Sequence, residues 1–158
     1  MQVAMSHAPA DHLSWRRRAR LLSAIAVVSL AGIIVSAFSL HHHYATSKSS
    51  FCDIGQSFNC DLVNRSEYST LFGVPVALIG VVGYLAILCL STVYRSKAEA
   101  PRLLAVTSAL GLSFALYLTY IEAHRLGAWC ILCLSSLGLI LAIAVLSGML
   151  AANTGRRV

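Results

Sequence analysis

Five cysteines carry most of the chemistry this sequence offers, and their spacing sorts them. Cys52 and Cys60 are separated by seven residues, Cys130 and Cys133 form a C-x-x-C, and Cys89 stands apart inside a long apolar run. Paired thiols either lock into structural disulfides or pass electrons by thiolate attack through mixed disulfides. A C-x-x-C closes a very small loop, so it adds little by constraining the unfolded chain. At the start of a helix, however, the partial positive charge lowers a thiol pKa and supplies a nucleophile. Cys130-Ile131-Leu132-Cys133 opens an apolar stretch that continues to Leu150, so the motif points to exchange rather than stapling. On a helix the two sulfurs share a face, with Cys133 about one turn deeper than Cys130. The outer thiol is placed to meet a loop cysteine and the inner one to meet something dissolved in lipid. Static disulfides in a non-catalytic membrane scaffold are the rival reading, which thiol trapping with and without a dithiol partner separates.

The elements that must position these thiols are membrane helices. Hydrophobic residues make up 58% of the 158-residue chain, charged residues only 11%, and the mean hydropathy is +0.75. Soluble domains carry roughly a quarter charged residues. Four stretches are long enough for the roughly 20 residues that cross a bilayer: Leu21 to Leu40, Leu71 to Tyr94, Leu103 to Ile121, and about Trp129 to Leu150. The expectation is an all-α, four-transmembrane-helix bundle over residues 21–150. Tails at 1–20 and 151–158 flank it, and an outer loop at 41–70 carries a short amphipathic helix. The net charge of +6 does not call for nucleic acid, because its placement has a membrane explanation. With both termini and the Arg95 to Arg102 hairpin inside, nine of the twelve Lys and Arg lie inside and only Lys48, Arg65 and Arg125 outside. That is the positive-inside pattern, with both cysteine pairs on the outer face. A cleaved signal peptide fits the first span less well, since its apolar run is longer than an h-region and no A-x-A site precedes His41.

Other residues read as support. Cys89 lies 17 residues past Phe72 in an inward-running span, about 25 Å deeper, and is expected to be an inert buried thiol. Gly80, Gly83, Ala105, Ala109, Gly111, Ala115 and Gly138 are small residues at which helices can approach in lipid. Pro75 starts or kinks the second span. Ser57 to Thr70 reads as the amphipathic helix, with Phe58, Leu62 and Val63 apolar and Asp61, Asn64, Arg65 and Glu67 turned to water. His41, His42 and His43 are adjacent and so point in different directions on a helix, which suits an interfacial collar rather than a metal site. Glu122, His124 and Arg125 read as a solvated turn. Tyr120 and Trp129 belong to an interfacial aromatic belt, and Trp129 adjoins Cys130.

Phe51-Cys52-Asp53-Ile54-Gly55, the gap to Cys60, Ser66, Leu71-Phe72-Gly73-Val74-Pro75 and Trp129-Cys130-Ile131-Leu132-Cys133, in this order, resemble the vitamin K epoxide reductase family in its bacterial form. The resemblance runs from about Leu21 to Leu150. It implies a quinone-dependent thiol oxidoreductase of the bacterial inner membrane that reoxidises a periplasmic thioredoxin-fold protein and passes electrons to ubiquinone or menaquinone. By the same resemblance Cys52 exchanges with the partner, Cys60 bridges to Cys130, and Cys133 reacts with the quinone. Ser66, Ser69, Phe72, Trp129 and Leu137 are the candidate quinone contacts. Ser69 and Leu137 replace an asparagine and a tyrosine of the vertebrate enzymes, so quinone epoxide reduction is the alternative activity, which direct assay decides. No soluble redox domain follows Leu150, so the dithiol partner is expected to be a separate protein.

Overall fold

The computed structural model describes residues 8–45, 53–54 and 58–155. Helix α1 (Ala8–Tyr44) leads into a two-stranded antiparallel ladder, β1 (Asp53–Ile54) with β2 (Phe58–Asn59). Helix α2 (Cys60–Asn64), a 3-10 turn (Glu67–Ser69) and a second hairpin, β3 (Thr70–Leu71) with β4 (Val74–Pro75), follow. Helix α3 (Val76–Thr92), α4 (Ala100–Ile121), a π-helical turn (Glu122–Leu126) and α5 (Ile131–Gly155) complete the chain.

Among the described residues, three helical segments are long and apolar enough to cross a membrane: Trp15–Tyr44, Ala100–Leu126 and Ile131–Asn153, with mean hydropathies of 2.5, 1.7 and 2.4. Helix α3 is equally apolar but has 17 residues, about 26 Å at 1.5 Å per residue, slightly less than a hydrocarbon core of about 30 Å. The expected second span, 71–94, thus loses its first turn. Phe72 and Gly73 take positive φ values of 52° and 80°, the paired left-handed conformation of a two-residue hairpin loop, so Leu71 and Val74 pair across it instead of beginning a helix. Pro75 then precedes the first helical residue, where its missing N–H costs nothing.

The long helices pack about one apolar core of Leu22, Ile25, Tyr84, Ile87, Leu104, Ile140, Ile143 and Leu150. Close approach between α1 and α3 is set at two glycines. The Tyr84 ring lies directly over Gly32, and Ser36 Oγ lies 2.9 Å from where a Cβ on Gly80 would stand. Gly111 admits Ile140 between α4 and α5, whereas Gly83 and Gly138, expected to serve in the same way, face open space. Tyr84 also reaches α5, its hydroxyl donating to the Ser136 carbonyl at 2.8 Å and lying 3.0 Å from Ser136 Oγ. One aromatic side chain therefore pins three helices.

The two ends of the bundle differ in chemistry. At one end the Arg18 guanidinium donates to the carbonyls of Arg95 (3.1 Å) and Lys97 (3.4 Å), gathering the basic start of α1 and the basic α3–α4 turn. The other end carries Cys60, Cys130 and Cys133. Cys89 is a free thiol on the exposed surface of α3 rather than a buried one, because it falls on the same helical face as the exposed Val82, Leu85 and Ala86.

Candidate active site

Of residues 57–70, expected as one amphipathic helix, the described 58–70 are broken into strand, short helix and 3-10 turn, and the breaks are local in origin. Asn59 has extended backbone and its side chain accepts from the Leu62 amide at 2.8 Å, which caps α2 and starts it at Cys60. Ser66 interrupts the far end, its hydroxyl donating to the Val63 carbonyl at 2.8 Å. The segment is held to the bundle from both sides. Its Asn59 amide donates to the Trp129 carbonyl at 3.1 Å, in a parallel bridge that pairs Phe58 with Trp129. On the α1 side, Ser39 Oγ donates to Asn64 Oδ1 (3.0 Å), His43 Nδ1–H donates to the Asn64 carbonyl (2.6 Å), and Arg65 donates to the Ala45 carbonyl (2.6 Å). Asn64, expected to face water, is consequently buried.

This clamp places Cys60 and Cys130 in one buried cluster with Val63 and Ala128, the two cysteines 1% and 0% exposed. Cys52 lies outside the described residues; Asp53, next to it in sequence, pairs with Asn59. Cys60 is disulfide-bonded, to a sulfur outside the described residues, and Cys130 and Cys133 are free thiols. The Cys60–Cys130 bridge implied by the family resemblance is therefore not the pairing in this structure. The Cys130 sulfur is engaged elsewhere, accepting the Cys133 amide at 3.4 Å.

Cys130 immediately precedes α5, and its own carbonyl accepts the first helical amide, from Leu134, at 3.0 Å. Its sulfur thus stands at the N-cap, where a side-chain acceptor meets the third helical amide. Donation from the Cys133 thiol, reinforced by the amides of Cys133 and Leu132, holds the Cys130 thiol below its ordinary range, although burial and the nearby Glu122 carboxyl act the other way. The C-x-x-C is at a helix start, as its sequence position implies.

Glu122 was not legible as part of this site. The π-helical turn carries the chain inward, Gly127 reverses it in the left-handed conformation (φ 59°), and the Glu122 side chain ends 3% exposed. Its Oε2 accepts the Cys130 amide at 3.2 Å, and with Cys133 it lines the cavity below. Neighbouring His124 and Arg125 are exposed, as a solvated turn requires, and His124 stacks on Tyr120 with ring centroids 4.2 Å apart.

Below the cysteines a cavity of about 360 Å³ opens within the bundle, walled by residues of α1, α3, α4, α5 and the α2 segment. Cys133 lines it and Cys130 does not. Ser66 and Ser69 also line it, but both hydroxyl protons are committed to local carbonyls, Ser69 to that of Ser66 at 2.7 Å. Phe72 sits at the hairpin tip, 99% exposed, and with Trp129 and Leu137 lies outside the lining. The spare donor is Asn64: its Nδ2 is buried at the cavity wall with no hydrogen-bond partner among the described residues. Apolar walls with one orphaned amide donor, next to a thiol, fit a flat apolar molecule bearing a carbonyl, and a quinone is such a molecule.

A model of the Vitamin K epoxide reductase family matches residues 23–148, most of the chain and all of this site. Family members are membrane oxidoreductases linked to quinones, acting on thiols or on quinone epoxides. A membrane bundle with paired cysteines at one end and an apolar cavity below them is accounted for by that descent, and the chain belongs to the Vitamin K epoxide reductase family.

Proposed function

We propose that the chain is a quinone-dependent dithiol oxidase that regenerates a thioredoxin-fold disulfide donor outside the cytoplasm. The observation that carries this reading is the position of the two C-x-x-C sulfurs on either side of a boundary: Cys130 is packed against Cys60, and Cys133 lines the cavity. Electrons move in pairs. The partner's dithiol becomes a disulfide at Cys52 and Cys60 while that pair is reduced, and the Cys60 thiolate then exchanges with Cys130 and Cys133. Oxidation of Cys130 and Cys133 to a disulfide releases two electrons and two protons, which convert quinone to quinol. Cys133 is the sulfur that delivers them, Asn64 orients the quinone carbonyl, and Ser66 and Ser69 shape the wall beside it.

In this reading α3 is the fourth span, with the β3–β4 hairpin completing its path to the outer interface. The basic end that Arg18 gathers faces the cytoplasm of a bacterial cell, with both termini on that side. In detergent or proteoliposomes, the purified chain supplied with a reduced thioredoxin-fold protein should reduce ubiquinone or menaquinone. Cys133→Ala should abolish quinone reduction, and wild-type turnover by that variant would remove Cys133 from the mechanism.

A further inference from the structure

Oxidising two thiols and reducing a quinone requires protons to move in a cavity whose walls are largely apolar. The cavity offers few groups able to carry them. Cys133 comes from α5, Tyr84 from α3, His43 from α1, Tyr68, 46% exposed, from the 3-10 turn and Glu122 from the turn after α4. No Lys or Arg lines it among the described residues, and His124 and Arg125, on the same turn as Glu122, are exposed. Tyr84 is tied to Ser136, and His43 Nδ1 is tied to the Asn64 carbonyl. Glu122 is the one carboxyl among them, lining the cavity with Cys133. Its contact with the Cys130 amide at 3.2 Å fixes the carboxyl at the start of α5, beside both sulfurs.

We infer that Glu122 is a catalytic residue of the quinone step, its carboxyl taking the proton of the Cys133 thiol and delivering it toward the quinone oxygen. The inference rests on the proposed quinone chemistry. As the S–S bond forms between Cys130 and Cys133, both electrons leave to the quinone. One proton leaves Cys133 through Glu122 Oε, and the Cys130 proton leaves through solvent at the outer mouth, from which the quinol takes its second. Glu122→Gln keeps an acceptor for the Cys130 amide but cannot hold and release a proton, so it separates positioning from proton transfer.

The test begins without quinone. In the fully reduced chain, the rate of Cys133 alkylation by iodoacetamide is followed against pH by peptide mass spectrometry. Groups in contact titrate together, so the parent profile should carry an inflection from Glu122 that Glu122→Gln lacks, whereas the Cys130–Cys133 coupling is common to both. Quinone reduction by the variant should fall about 100-fold or more, the range of a lost acid–base group, while Cys52 still exchanges with the dithiol partner at the parent's rate. Identical alkylation profiles in parent and variant would overturn the inference, as would unchanged quinone turnover. Should Glu122→Gln fail to fold, Glu122→Asp carries the test: a shortened carboxyl should shift the profile, and an unshifted one counts against the role. A parent that shows the Glu122 inflection but no quinone reduction would refute the proposed function, and with it this step, while leaving the Glu122–Cys133 coupling in place.

Discussion

The Asn59 amide donates to the Trp129 carbonyl at 3.1 Å, and the residue that follows each is a cysteine, Cys60 after the first and Cys130 after the second. A backbone hydrogen bond thus sets the register between an outer loop and the start of α5. Docking does not depend on the loop finding its place at each turnover. The same Asn59 caps α2 through its side chain, so one residue fixes both where the helix starts and where it sits.

Asn59→Ala keeps the backbone bond and removes only the cap. Losing an N-cap costs about 1 kcal/mol, and α2 has only five residues over which to recover it. The variant should melt a few degrees lower in detergent. Transfer between the Cys60 and Cys130 pairs, followed by quenched non-reducing electrophoresis, should slow more than quinone reduction by pre-reduced Cys130 and Cys133. Equal slowing of both steps would mean that Asn59 acts on the whole bundle rather than on the loop.

The depressed pKa of Cys130 has a direct consequence for pH dependence. Below its pKa a thiol is protonated and a poor nucleophile, so a lowered value extends reactivity toward acid. The largest lowering contribution is the Cys133 thiol as donor. Cys133→Ala should therefore move the midpoint of Cys130 alkylation upward in pH and slow alkylation at pH 7. Cys133→Ser, which keeps an O–H donor, should move it less. A midpoint that stays put in the alanine variant would assign the effect to the helix start alone.

What the sequence disclosed and what it hid follow from the range of each interaction. Charge-free runs disclose α1, α4 and α5 because burial in lipid requires nothing more specific than length and apolarity. The 71–75 segment is just as apolar, and composition cannot distinguish a hairpin from a first helical turn; the positive φ of Phe72, a non-glycine residue, carries no strong sequence signal. The capping type of Asn59, one residue before Cys60, was a readable signal for breaking the expected 57–70 helix. Glu122 was hidden because its neighbours His124 and Arg125 are solvated and its partner is a backbone amide eight residues on. The four cysteines were legible as a set by spacing, but which of them lines a cavity was not.

Tyr84 links α1, α3 and α5, so its two contacts should separate by substitution. Gly32→Ala puts a methyl group into the Tyr84 ring, and overpacking of this kind costs about 1–3 kcal/mol. Tyr84→Phe keeps the packing and loses the hydrogen bonds to Ser136, about 1 kcal/mol. Thermal unfolding in detergent should rank Gly32→Ala below Tyr84→Phe and both below the parent. The order reverses if the hydroxyl rather than the close helix approach dominates.

Asn64 combines a structural fault with the proposed role in quinone binding. A buried amide without a partner destabilises a fold by about 1–3 kcal/mol relative to a satisfied one, and Asn64 Nδ2 is such a group in the described structure. Asn64→Leu removes that fault, at the expense of the acceptor for Ser39 Oγ, which can turn to a helix carbonyl of its own. The backbone carbonyl that receives His43 is untouched. The variant should be at least as stable as the parent. If Asn64 Nδ2 is the donor to the quinone carbonyl, the apparent KM for quinone should rise about 5- to 30-fold, equivalent to about 1–2 kcal/mol, while exchange with the dithiol partner stays unchanged. Steady-state rates over a quinone titration check the first and mixed-disulfide formation the second. An unchanged KM would move the carbonyl contact away from Asn64, and a fall in partner exchange would show that the residue acts through the α2 clamp instead.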